Sequence, residues 1–431
     1  MEPGREAEAL RARVVQVSPW SEPASATPAS VGASAGTEAL GRVAAEADAA
    51  SPGLPGTSSP AAAPTRTAQA GWDGARTAGV GLGTPAVPRA IETPEAPAAA
   101  GAPDVLLARP TRTAAGGHAA LPGVTHVWQR WNNCGPSAAL MALSAFGVHR
   151  DQLQLAARVK PDREDTNVTP DEIAALVRAE GLSAVVRYHG NRDVVRALVA
   201  SGVPVIAEQW IHVDGRGEMG HYRVVIGFDD REQAFLVHDS YYGPNRRHAY
   251  DDFEHMWRPF VGAYVAVFDP ELEPSVRLAL GPDWDESRMW ARARVDHEVW
   301  ALAEPQNAWA HVALGEVRSR MGDYGAAVES FDRAVAIGLP FRAFWYQFGY
   351  YRALYALGAY DRLLAHADVT LATMGGANLE ESRYWRGMAL AALGRNAEAL
   401  HEFETALAYN PLFEAARLAR DAVVAGAAVR P

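Results

Sequence analysis

Apolar and polar positions fall into three regimes along the 431-residue chain. Residues 1–118 are dominated by Ala, Pro, Gly, Ser and Thr, and their few large apolar residues follow no sustained period. Such a segment cannot bury enough surface to offset its ordering entropy, so 1–118 reads as a disordered tail. A short helix over 37–50 is compatible with the local pattern. The string Pro-Thr-Arg-Thr-Ala occurs twice, at 64–68 and 110–114, either as compositional drift or as a short docking motif. The pattern changes near Pro122, and a second region spans 119–272. Residues 135–146 are an apolar run of helical length with Pro136 in the first turn, where a missing N–H costs little. Thr169-Pro170-Asp171-Glu172 is a capping box that opens another helix. Residues 184–189 alternate as a strand, and Asn191 caps a helix that runs to Ala200. Residues 205–211, 222–228, 234–237 and 262–268 read as further strands, the middle two joined as a hairpin through 229–233. Helices come first and strands follow, which is an α+β order.

The third region, 284–427, is helical and carries a repeat. Gly315 is followed by Ala327, Phe331 and Ala334, and Gly387 is followed at the same offsets by Ala399, Phe403 and Ala406. Small and large residues at fixed offsets are what two antiparallel helices need in order to interlock. A middle unit centred on Trp345, Phe348 and Gly349 lacks the downstream Ala and Phe and is degenerate. The segment resembles tetratricopeptide (TPR) repeats, stacked helix pairs with a period of about 34 residues. That resemblance implies an all-α array with a concave surface for a protein partner.

Composition narrows the choice of function. A formal net charge of -11, with no local block of Lys or Arg, argues against nucleic acid as a main partner. Lys is almost absent, and Arg supplies nearly all the positive charge. Apolar runs are too short for a membrane span. The start, MEPGREAEAL, lacks the basic and apolar parts of a secretory signal. A cytoplasmic location is the default expectation, with export open if the start is misassigned. A single cysteine excludes an internal disulfide and a thiolate metal cluster within one chain. His248, His255, Asp251, Asp252 and Glu254 fit no standard ligand spacing, so neither metal nor cofactor is expected.

The lone cysteine, Cys134, sits where a loop ends and the apolar helix begins. Helix N-termini carry unpaired N–H groups and a positive partial charge, which favour a thiolate. A buried structural cysteine is the bland alternative. A thiolate nucleophile needs a base, and the base needs an orienting group. His221 stands at the mouth of an apolar strand behind Gly220. The 229–233 hairpin folds the end of its second strand back beside the start of the first, which brings Asp239 to His221. His238 points to the opposite face by alternation. Gln129, five residues before the cysteine, can donate to an oxyanion together with the Cys134 N–H. Trp128, Trp131 and Trp210 could line a peptide groove, though core packing is the expected use.

Gln129, Cys134-Gly135-Pro136, Gly220-His221-Tyr222 with its following strand, and Asp239 together resemble the C39 peptidase family, especially its stand-alone C39-like branch. The resemblance covers about 150 residues. It implies an α+β papain-like fold and cysteine peptidase activity on a peptide or protein substrate. It assigns Cys134 as nucleophile, His221 as base, Asp239 as orienting group and Gln129 as oxyanion donor. Thiol acyl transfer would use the same residues. Members fused to exporters carry membrane and nucleotide-binding domains that are absent here. Asn133 stands where an aspartate often precedes the cysteine, and Ser240 where a proline often follows the aspartate. The alternative is a scaffold whose papain-like domain binds without turnover.

Overall fold

The computed structural model describes residues 117–431. The expected tail, its helix over 37–50 and both copies of Pro-Thr-Arg-Thr-Ala therefore lie outside the described residues, apart from the tail's last two positions.

A seven-stranded antiparallel sheet organises the first part of the described chain. Its strands are β1 (His118–Ala120), β2 (Ser183–Arg187), β3 (Val205–Val213), β4 (Gly217–Asp229), β5 (Ala234–Asp239), β6 (Gly243–Ala249) and β7 (Tyr264–Phe268). Their spatial order is β2-β7-β3-β4-β5-β6, with β1 also pairing to β4. Val and Ile fill the central strands because both faces are covered. One face packs on α1 (Cys134–Ser144) and α3 (Pro170–Ala179), which follows the short α2 (Gln152–Ala156). The other face packs on α4 (Arg192–Ala200), α5 (Tyr250–Trp257) and part of α6 (Glu273–Leu280).

Local chemistry explains these boundaries. Thr169 and Glu172 form the reciprocal capping box that opens α3, and the Asn191 side chain accepts from the N–H groups of Asp193 and Val194 to open α4. α1 is apolar all round and buried along nearly its whole length, as an interior helix must be. β4 runs further than its apolar core, back to Gly217, because the β3–β4 hairpin pairs its polar start with Val213 and His212. The sequence pattern does not announce β1, β6 or α5: β6 is mostly exposed and polar, so it carries no apolar alternation.

The rest is all-α. It comprises α7 (Glu286–Ala303), α8 (Ala308–Arg320), α9 (Tyr324–Ile337), α10 (Gly349–Ala356), α11 (Tyr360–Leu371), α12 (Glu380–Ala392), α13 (Asn396–Tyr409) and α14 (Glu414–Val424). The offsets read from sequence have a steric basis. A β-carbon at Gly315 would lie 2.8 Å from the Phe331 ring, and one at Gly387 would lie 2.6 Å from the Phe403 ring. Each glycine admits the aromatic of its partner helix. The middle pair, α10 and α11, is built differently: His366 is wrapped by Phe344, Tyr350 and Tyr351 at centroid distances of 4.5–4.9 Å.

Candidate active site

Cys134 is the first residue of α1 and is half-buried, directly after the capping position Asn133. The loop that delivers it is pinned at several points. Gln152 donates from Nε2 to the Trp128 carbonyl at 2.8 Å and accepts at Oε1 from the Arg130 N–H at 2.8 Å and from Asn133 Nδ2 at 3.4 Å. Asn132 turns the chain in the left-handed region, at φ 52°, a conformation that asparagine tolerates. Lys160 Nζ donates to its carbonyl at 3.0 Å.

His221 lies on β4 opposite Gln209 of β3 and is buried. Its Nε2 donates to Asp239 Oδ1 at 2.9 Å, which leaves Nδ1 as the ring nitrogen for the thiol. The β4–β5 register pairs Arg223 with Asp239 across the hairpin, with an irregularity between Val225 and Gly227. Asp239 is fully buried yet well supplied with donors. Its Oδ1 also accepts from the N–H groups of Tyr241 and Tyr242, at 2.8 and 2.9 Å, and its Oδ2 accepts from Arg223 Nε at 2.7 Å. Arg223 is held in turn by Gln209 Oε1 at 2.8 Å, and Gln209 donates to the Phe253 carbonyl at 2.8 Å.

These contacts set the charges. Burial pushes the Cys134 thiol up, but hydrogen bonding to His221 and its positive charge, with the Tyr222 N–H and the charge of Lys160, bring it below its ordinary value. Burial pushes His221 down, and the Asp239 carboxylate and Cys134 outweigh it, raising the imidazole to about 9. Asp239 falls well below the usual carboxylate range: burial opposes this, and His221 and Arg223 prevail. A lowered thiol facing a raised imidazole favours a thiolate–imidazolium pair near neutral pH.

Gln129 is half-buried beside this cluster. Its N–H donates to the Ser240 carbonyl at 2.9 Å, and its Oε1 accepts from the Ser240 hydroxyl at 2.8 Å. The amide oxygen is thereby committed, and the amide N–H groups have no partner among the described residues.

Residues 122–265 match the family model of the Peptidase C39-like family. The sheet region is similar to that family over this span. Two further segments, 310–337 and 380–413, match tetratricopeptide repeat models. The order read from the sequence, a C39-like domain followed by TPR repeats, therefore stands, with the degenerate middle unit between the two matched segments. Among solved structures, one described as a C39-like peptidase from Bacillus anthracis aligns at 15% identity and a TM-score of 0.30, covering 36% of this chain and 98% of that chain. No curated protein matches.

Within the C39-like domain the two departures from the family pattern acquire structural uses. Ser240 orients the Gln129 amide, and Asn133 is a buried contact of Gln152. The expectation of core packing holds for Trp210, which is 1% exposed and packs on Trp309 at 4.5 Å. It fails for Trp128 and Trp131, which are 61% and 49% exposed. Tyr241 and Tyr242, whose N–H groups hold Asp239, are also exposed. His238 faces away from the cluster: its Nδ1 accepts from the Asn245 N–H at 3.2 Å and its Nε2 donates to the Val124 carbonyl at 3.1 Å. Asp251 and Glu254 are tied to Arg192 instead of converging with a histidine.

Sequence reasoning missed Arg223, Gln209, Gln152, Lys160 and Tyr346. The first two alternate with neighbours on β-strands and point to the Asp239 face, but a polar residue in a strand has no periodic signature of its own. Tyr346 comes from the repeat region. Its ring covers Gly220, where a β-carbon would lie 3.1 Å from three ring atoms. Arg342, four residues earlier, donates to the carbonyls of Arg216 and Glu218 at 2.7 and 3.1 Å. Among the described residues no helix is long and apolar enough to cross a membrane, and no group of three or more His, Cys, Asp or Glu is arranged to hold a metal ion.

Proposed function

We propose that the chain is a cysteine peptidase, with thiol acyl transfer open to the same site. Cys134 attacks a peptide carbonyl as the thiolate. The oxyanion that develops is met by the Gln129 amide and the Cys134 N–H. His221, as imidazolium, protonates the leaving amine and gives an acyl-thioester on Cys134. His221 then takes a proton from the acceptor that attacks the thioester, and the acyl product, an acid from water or an amide from an amine, is released with Cys134 free as the thiolate. Water as acceptor is hydrolysis; an amine acceptor is acyl transfer. Asp239 holds the imidazole in the productive orientation and stabilises its charge. The TPR repeats recruit a peptide or protein substrate or partner.

One observation carries this reading. His221 is bonded to a fully buried carboxylate at 2.9 Å while its other side lowers the Cys134 thiol.

The test is alkylation of Cys134 by iodoacetamide across pH, in wild type and His221→Ala. The chain has one thiol, so all label reports on it. Fast alkylation well below pH 8 that slows in the variant is the expected result. A rate that follows an ordinary thiol titration in both proteins would sink the enzyme reading and leave a peptide-binding scaffold.

A further inference from the structure

Lys160 is the only lysine in the chain; every other permanently charged basic side chain is arginine. It is also 3% exposed. Withdrawing an ammonium from water is costly unless its N–H groups are used. Here Nζ donates to the Asn132 carbonyl at 3.0 Å and to the Asp165 carbonyl. Asn132 is two residues before Cys134 and holds the left-handed turn that launches α1. A compact ammonium with rotatable donors fits a slot between two carbonyls, whereas a planar guanidinium spreads its donors.

We propose that Lys160 is a positioning residue of the thiol site: it fixes the turn before Cys134 and places a positive charge that favours the thiolate. The proposal rests on the reading of Cys134 as nucleophile. Charged and titratable groups face Lys160 from several elements. Cys134 lies on α1. Asp165 and Glu164 lie on its own loop, and Glu380 comes from α12 of the repeat region. Beyond them His221 on β4 faces the thiol, while Glu172 on α3 and Glu381 on α12 face Asp165. The carboxyl groups of Asp165, Glu172, Glu380 and Glu381 are all pushed up by burial, which reduces the negative charge set against Lys160. Burial lowers Lys160 itself, and Asp165, Cys134 and Glu380 oppose that, so Lys160 and the thiol each favour the other's charged form.

The experiment is the pH dependence of iodoacetamide alkylation at Cys134 in the full chain, for wild type, K160M, K160Q and K160R. Near-UV circular dichroism monitors the fold. K160Q keeps a donor but not the charge, and K160R keeps the charge. Removing one nearby positive charge is expected to raise the thiolate midpoint by about one pH unit in K160M and K160Q, roughly a tenfold slower reaction below the midpoint. K160R keeps the charge but seats it less well between the two carbonyls, so its midpoint is expected to rise less than that of K160Q. If K160M fails to fold, the comparison of K160R with K160Q decides. A low wild-type midpoint unchanged in K160Q would overturn the role of Lys160 alone. Equal shifts in K160R and K160Q would reduce it to packing. A wild-type midpoint at the ordinary thiol value would overturn the reading of Cys134, and the role of Lys160 with it.

Discussion

Asp239 and the quartet Asp165, Glu172, Glu380 and Glu381 are all carboxyl groups largely withdrawn from water, yet their protons are held in opposite directions. Asp239 meets two cations and two backbone N–H groups. Its pKa falls despite burial. The quartet lies where the loop after Lys160 and the first turn of α3 meet α12. Asp165 is pushed up to about 7 by burial, against the pull of Lys160. Glu380 and Glu381 are raised by burial and then by neighbouring carboxylates. One oxygen each of Asp165, Glu380 and Glu381 finds no hydrogen-bond partner among the described residues. Burial makes any carboxylate expensive, and nearby positive charge does most to decide whether it ionises: Glu172 accepts from Thr169 and Asn410 and is still raised. The first region is wired to carry charge; the second is wired to shed it.

The largest test of this contrast is Asp239→Asn. An amide cannot accept from all of these donors, and Arg223 is left buried beside it without its counter-charge. Cleavage of a fluorogenic peptide is expected to fall on the order of 10³-fold. Urea unfolding should show a loss of about 3–5 kcal/mol. Retained cleavage would mean that the imidazole is oriented by something else.

Gln129→Ala removes a donor at the edge of the same cluster without touching a charge. Affinity for a peptide aldehyde, which forms a thiohemiacetal at Cys134, should drop about 10²-fold. Alkylation by iodoacetamide should stay at the wild-type rate. A parallel fall in alkylation would assign Gln129 to the loop's shape instead of the oxyanion.

In the second region, Asn167 donates to Glu381 Oε1 at 2.6 Å across the domain junction. Asn167→Ala strips a donor from a cluster already short of them. Urea unfolding is expected to register a loss of about 1–3 kcal/mol, with the pH dependence of Cys134 alkylation unchanged.

The remaining test is a pH slope. A carboxyl whose folded pKa is raised binds its proton more tightly in the folded state. Its contribution to stability is complete below about pH 4 and is lost as pH rises through the folded value, which for Asp165 is about 7. Asp239 runs the other way: its contribution is present above about pH 4 and is lost as pH falls through its lowered folded value. Thermal melts between pH 5 and pH 8 should therefore show the junction weakening as pH rises, by about 2–3 kcal/mol from Asp165 alone. Glu380→Gln should flatten that slope. A slope identical in the variant would remove Glu380 from the titrating group.

How far each region could be read follows from how its information is stored. The apolar run at 135–146, the capping box at Thr169 and the alternation of the strands gave most of the sheet domain, because burial periodicity and caps are local. The Gly and Phe offsets gave two helix pairs for the same reason. Cys134, His221 and Asp239 could be linked in advance because a helix start and one tight hairpin relate them, and short-range geometry follows from residue spacing. Ser240 looked like a mere departure from a family pattern, since its use is a bond to a side chain 111 residues away.

By itself, then, the sequence determined the α+β domain, the helical repeats after it, their order and the residues that meet around one hairpin. Only the tertiary structure decided what surrounds them. It exposed Trp128 and Trp131, buried Trp210 against Trp309, set Tyr346 on Gly220 and threaded Lys160 between two backbone carbonyls. It also brought Asp165 and Glu172 up against Glu380 and Glu381, more than 200 residues away along the chain. Such contacts depend on how separate elements pack. A residue's periodicity reports that a face is covered, never what covers it, and a buried charge is specified by the groups brought to it across the fold.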